Sequence, residues 1–174
     1  ALAQLMADGL DHRSLVELAG FLEHSDQRVR QSSQFAMVKK GEDAISKFNS
    51  ILEGKKYSLY AKLHSTWGLG QLARKGHSEL VSPIIESLFD HKDDEVRANA
   101  AKVVGNAGLG PLVDSLIVLL DDSSPRVISM AAISLGRVGG KSDPTLMSAL
   151  LEAVEQNKGR DFDPVLRHSF VSAL

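Results

Sequence analysis

Asp93-Asp94-Glu95-Val96-Arg97-Ala98-Asn99-Ala100-Ala101-Lys102-Val103-Val104-Gly105 decides how the rest of the chain is read. A capping acid is followed three positions later by an aliphatic anchor, then by a basic residue. Apolar side chains return four, five, seven and eight positions beyond the anchor, which is one stripe of an α-helix. The same opening recurs as Asp26-x-x-Val29-Arg30, Ser58-x-x-Ala61-Lys62, Ser124-x-x-Val127-Ile128 and Asp163-x-x-Leu166-Arg167. Successive anchors lie 32, 35, 31 and 39 residues apart, a period that belongs to stacked helix pairs.

Each motif predicts the first helix of a unit. Asp26, Ser58, Asp93, Ser124 and Asp163 are placed to cap the orphan amides of the opening turn. Pro125 and Pro164 follow two of these caps, at the position where a missing N–H costs nothing. Gly41, Gly76, Gly108 and Gly139-Gly140 supply stops. Second helices are then expected over roughly 12–24, 43–53, 78–91, 110–121 and 143–156, one carrying the apolar stripe Leu80, Val81, Ile84, Ile85 and Leu88. Paired small residues, Ala100-Ala101 and Ala131-Ala132, let a neighbouring backbone come close. Nothing alternates with period two, so the fold class is all-α, an α-α superhelix of about five helix pairs.

The units read as 1–24, 25–54, 57–91, 92–121, 123–156 and a partial 161–174, forming one array. Leu2-Ala3-Gln4-Leu5-Met6-Ala7-Asp8-Gly9 aligns with Leu69 to Gly76, and Leu166 to Leu174 opens a first helix without its partner. Neither end has the polar cap of a finished array, so the expectation is a segment truncated at both ends from a longer protein.

Charge and composition narrow the function. Twenty basic residues against 22 acidic ones leave a net charge of −2, which provides no broad field for a phosphate backbone and argues against nucleic acid as partner. Zero cysteine removes disulfides, thiolate metal sites and thiol nucleophiles. The longest apolar block, Leu116 to Leu120, falls well short of a membrane span, and no basic leader precedes an apolar run at Ala1 to Gly9.

Asp-x-x-Val-Arg-x-x-Ala-Ala, a glycine-ended helix and a leucine-rich second helix together resemble the HEAT repeat, in the short form named after phycobilisome lyases. The resemblance covers essentially the whole chain and implies a HEAT-like right-handed solenoid of the armadillo-like helical class. Ile128 replaces the usual arginine, and Ser33-Gln34 replaces the usual alanines. A narrower likeness rests on Ala61-Lys62-Leu63-His64-Ser65-Thr66-Trp67-Gly68-Leu69-Gly70-Gln71-Leu72 and Asp163-Pro164-Val165-Leu166-Arg167-His168. These are similar to the HEAT segment of planctomycete-type membrane-bound dehydrogenase proteins, which join a β-propeller, a HEAT array and a cytochrome c domain. That resemblance implies an exported, redox-active parent, and transfers no catalytic residue to these positions.

Four features invite function. Arg30, Lys62, Arg97 and Arg167 would stack into a basic ladder, available to an anionic partner or paired with the capping acids of adjacent units. His24 and His91 end second helices, where they meet the negative end of the dipole, and no histidine pair has metal-ligand spacing. Tyr60, His64 and Trp67 share one helix face, as a binding hot spot or as a local core. Glu17, Lys47, Glu86, Asp114, Ser148 and Glu152 point away from the second-helix stripes, which line the inner curve of HEAT arrays generally, and form a candidate partner strip or a solvated face. The sequence therefore reads as a non-catalytic scaffold, with no cofactor and no metal site. It acts as a monomer toward a protein partner or the neighbouring domains of its parent. HEAT-like enzymes, the phycobilin-type lyases and the alkylpurine DNA glycosylases, are the alternative.

Overall fold

The computed structural model describes residues 9–140, 143–157 and 163–174. The expected helix tail before Gly9 and the start of the final unit at 161 lie outside those residues. The described residues contain helices and turns and no strand, which establishes the all-α class. The chain falls into two compact units, Ala1–Val81 and Ser82–Leu174.

In the first unit, α1 (Leu15–Phe21) and α2 (Gln27–Lys39) precede α3 (Asp43–Glu53) and α4 (Leu59–Leu72). α1 opens with a capping box in which Ser14 Oγ accepts from Glu17 N and Glu17 accepts from Ser14 N. Asp26 caps α2 through Arg28 N at 2.8 Å, and Ser58 caps α4 through Ala61 N at 3.3 Å. α2 ends before Gly41, whose φ of 66° is left-handed backbone that glycine adopts without strain. Leu18, Leu22, Val29, Met37, Phe48, Ile51, Leu69 and Leu72 form the fully buried core. From α4 the chain passes through a wide turn, Ala73–His77, into α5 (Ser78–Ser87).

In the second unit, α5 finishes in a 3-10 turn, Leu88–Asp90, and is followed by α6 (Asp94–Ala107). The second helix of the next pair is broken into a 3-10 turn Gly110–Leu112, α7 (Val113–Val118) and a 3-10 turn Leu119–Asp121. α8 (Pro125–Val138), α9 (Pro144–Asn157) and α10 (Pro164–Ala173) complete it. Observed and expected helices agree in order and closely in extent. Leu80 is an exception to the expected stripe, because it is 48% exposed while Val81 and Ile85 are fully buried.

Two expected helix signals act differently. Ser124 makes no side-chain cap, and its hydroxyl donates to Asp94 Oδ2 at 2.9 Å, tying the start of α8 to the start of α6. With Pro125 already removing one orphan N–H, the cap is less needed there. Gly139 is extended, with φ −76° and ψ 153°, so it stops α8 without left-handed backbone.

The first helices come together at backbone distance. Ala100, Ala101, Ala131 and Ala132 are fully buried, and a Cβ at Gly105 would stand 2.5 Å from Ser134 Oγ of α8. One repeat later a Cβ at Gly136 would stand 2.7 Å from the Ala173 Cα of α10. In the first unit, a Cβ at Gly68 would stand 2.5 Å from the ring of the fully buried Phe48. Gly68→Ala is therefore expected to destabilise by about 1–3 kcal/mol through overpacking. Gly20→Ala, on α1 where a Cβ meets nothing within 4 Å, should instead stabilise by roughly 0.5–1 kcal/mol. Thermal unfolding of the two variants measures both signs.

Candidate functional site

In the first unit the aromatic trio does not act as one surface. Tyr60 is 60% exposed, while His64 is 4% exposed, so the three side chains share a helix but not an environment. The Arg30 guanidinium lies over the Tyr60 ring at 4.6 Å. His64 meets Trp67 edge-on, with ring centroids 4.9 Å apart. Its Nδ1 lies 2.7 Å from Gln34 Oε1, and Gln34 Nε2 donates to Gln71 Oε1 at 3.2 Å. A carboxamide oxygen accepts only, so the neutral His64 ring carries its proton on Nδ1. Ser33 Oγ donates to Leu18 O at 2.6 Å. The two residues that depart from the usual alanines thus bind α2 to α1 and to α4.

Burial, with the Arg30 charge as a lesser cause, pushes the His64 imidazole down to about 4. The ring's folded value lies below its unfolded value near 6.5, so its neutral form stabilises the fold fully above that pH. That contribution declines as pH falls toward 4. An NMR titration is expected to place the His64 midpoint near 4, and a midpoint at 6.5 would contradict the buried network.

The basic ladder is used in packing, but not as the sequence suggests. Arg30 Nη1 donates to His24 O and Ser25 O at 2.7 and 2.8 Å, and Lys62 Nζ donates to Leu52 O at 2.5 Å. Arg97 Nη1 donates to His91 O at 2.8 Å, while its Nε and Nη2 bind the two oxygens of Asp122 at 2.7 and 2.8 Å. These three cations therefore hold carbonyls at the end of the preceding second helix. Arg97 takes Asp122 and not the capping Asp93 as its carboxylate partner, and the capping Asp26 binds Arg28. The histidines have a further task. His24 Nδ1 accepts from Asp26 N at 2.9 Å and His91 Nδ1 from Asp93 N at 3.1 Å, so each braces the following cap. Asp122 does the same one unit later, accepting from Ser124 N at 2.7 Å.

Asp122 belongs to none of the sequence motifs. Its signal was available, since His24, His91 and Asp122 all stand two residues before a cap. Burial pulls its carboxyl up, but the Arg97 guanidinium and the Ser124 N–H override that and hold it below the ordinary range. The pair stabilises above the unfolded carboxylate value near 3.9 and is lost as pH falls through the lower folded value. Asp122→Asn is expected to cost about 1–3 kcal/mol at neutral pH and to flatten the acid side of the stability profile, read by urea unfolding at several pH values.

The strip residues are distributed over both units. Glu17 is engaged in the α1 capping box and with Arg13 at 2.9 Å, and the Ser14 hydrogen bonds are the main reason its carboxyl falls to about 2. Lys47 is half-buried on α3. Glu86 accepts from Ser115 Oγ at 2.5 Å, linking α5 to α7. Asp114, Ser148 and Glu152 are exposed, and Glu152 accepts from Gln156 at 3.5 Å. No group of three His, Asp or Glu side chains among the described residues is placed to hold a metal ion. Among the described residues, Pro164, Arg167, His168 and Val171 of α10 line a depression of about 320 Å³. No helix among the described residues is long and apolar enough to cross a membrane.

Residues 81–174 match the sequence profile of the family described as HEAT repeats. The chain belongs to the HEAT-repeat family. Two solved structures, both engineered proteins from the Northeast Structural Genomics Consortium, share the HEAT chain's fold. One superposes with a TM-score of 0.57 at 20% identity, covering 95% of this chain and 81% of its own. The other superposes at 0.54 and 16%, covering 92% and 77%. No curated protein matches the sequence. HEAT arrays typically present rigid helices to protein partners.

Proposed function

We propose that this HEAT segment is a non-catalytic interaction scaffold or spacer within a larger multidomain protein, acting as a monomer through its exposed second-helix side chains. One observation carries the reading. The conspicuous repeating groups, Arg30, Lys62, Arg97 and the caps, are consumed in joining helices, whereas Asp114 and Ser148 are exposed and have no such task. Specificity in a repeat protein resides in such outward positions, because the periodic ones maintain the stack.

The finer proposal for the parent is the dehydrogenase-type architecture. Its support is the Ala61 to Leu72 segment, whose distinctive His64 and Trp67 pack against each other inside the first unit. Those residues support a shared repeat, not shared chemistry. A propeller before this segment and a C-x-x-C-H haem motif after it, found in the parent reading frame, would establish that architecture; further repeats alone would remove it.

A photo-crosslinking residue placed at Asp114 in the parent protein is expected to capture a protein partner or a neighbouring domain. The same residue at exposed Lys102 on α6 should capture none. Equal capture at both positions, or none at Asp114, would sink the scaffold reading for this face. Bilin transfer or salt-sensitive DNA binding by the purified chain would replace it with one of the HEAT-like enzyme readings.

A further inference from the structure

Charge is segregated between the two helix layers of the unit Ser82–Leu174. Across 82–90, 110–121 and 144–157, which are its second helices with their 3-10 turns, there are six carboxylates and no lysine or arginine. Among the described residues its bases stand on the first helices, where Arg97 and Arg126 are already paired with Asp122 and Glu95, and at Lys92 in the turn after Asp90. Ordinary solvated faces intersperse both signs, so this face is depleted of cations on one side only.

The acids are also placed against local electrostatics. Asp90 and Asp121 are 31 residues apart and each ends a second helix, after the buried pairs Leu88-Phe89 and Leu119-Leu120. A carboxylate there faces the negative end of the helix dipole. Both are exposed, and neither makes a hydrogen bond or ion pair with a described residue. Between them in sequence stands an exposed apolar side chain. Val118 is 73% exposed on α7, one helical turn from Asp114 on one side and Asp121 on the other. On α9, Leu151 is 53% exposed and one turn from Glu155. α9 packs beside the 119–121 turn and α5 is bonded to α7 through Glu86 and Ser115, so the three helices are neighbours in one layer.

We propose that this face docks a segment of a partner protein in which lysine or arginine side chains are interleaved with apolar ones. The apolar side chains would cover Val118 and Leu151, and the cations would meet Asp90, Asp114 and Asp121, where they also offset the helix dipoles. The uniform negative sign repels phosphate backbones and anionic lipid surfaces, which leaves a basic peptide as the complementary occupant. The inference rests on the interaction-scaffold reading and adds the chemistry of the partner.

Three synthetic peptides test it by fluorescence anisotropy against the full chain: lysine alternating with leucine and valine, the same with glutamate for lysine, and the same with serine for the apolar residues. Saturable binding is expected for the first alone, weakening with added salt. It should weaken by about tenfold or more in the double variant Asp90→Lys with Asp121→Lys, and several-fold in Val118→Ser. Reversal of exposed Asp43 in the other unit should leave it unchanged. Unaltered far-ultraviolet circular dichroism guards against unfolding, and these side chains carry no internal bonds. Equal binding of the glutamate peptide, or affinity indifferent to the Asp90 and Asp121 reversals, would overturn the proposal. So would a partner segment crosslinked from Asp114 that is acidic or uncharged, an outcome that leaves the scaffold reading standing.

Discussion

Everything in the second unit depends on how closely one first helix can approach the next. Gly105 against Ser134 and Gly136 against Ala173 leave no volume for a methyl group, and fully buried alanine pairs extend the same contact. Close backbone approach replaces side-chain interdigitation with many short-range dispersion contacts, each small and collectively large. It also fixes register, because glycine faces its partner at only one rotation of the helix. The polar links that surround it, Arg97 to Asp122 and Ser124 to Asp94, join the same helices at their starts.

The fold was legible because its determinants are periodic. Anchors, caps, small-residue pairs and glycine stops repeat about every 31 to 39 residues, and repetition raises a weak local signal above noise. What escaped was whatever depended on the neighbour across the gap. Ser124 looks like a cap in isolation, yet its hydroxyl serves Asp94 from the preceding unit. Arg30 looks like a partner for the capping acids, yet it holds two carbonyls and a tyrosine face. Leu80 follows the apolar stripe by spacing and still emerges into solvent. Helical periodicity gives the direction of a side chain, not the distance of what lies opposite.

The candidate site was legible to a different degree. His64 and Trp67 were correctly placed near each other by spacing, but burial separates them in role from Tyr60, and spacing is blind to burial. The strip on the second helices contains residues of two kinds that the sequence does not distinguish. Glu17 is bound into its own helix start, while Asp114 is not. The difference is set by Ser14, three residues before Glu17, which completes a capping box that α7 lacks.

The glycine contacts also constrain how such a chain can change in length. Losing a single residue between Gly105 and Gly136 within α8 would rotate everything beyond the lesion by about 100°, turning Gly136 away from Ala173 and a bulkier side chain into its place. Insertions in the turn 110–112 would spare the helices on either side. Viable length variants of this chain should therefore come in two sizes, small changes confined to turns and gains or losses of whole units.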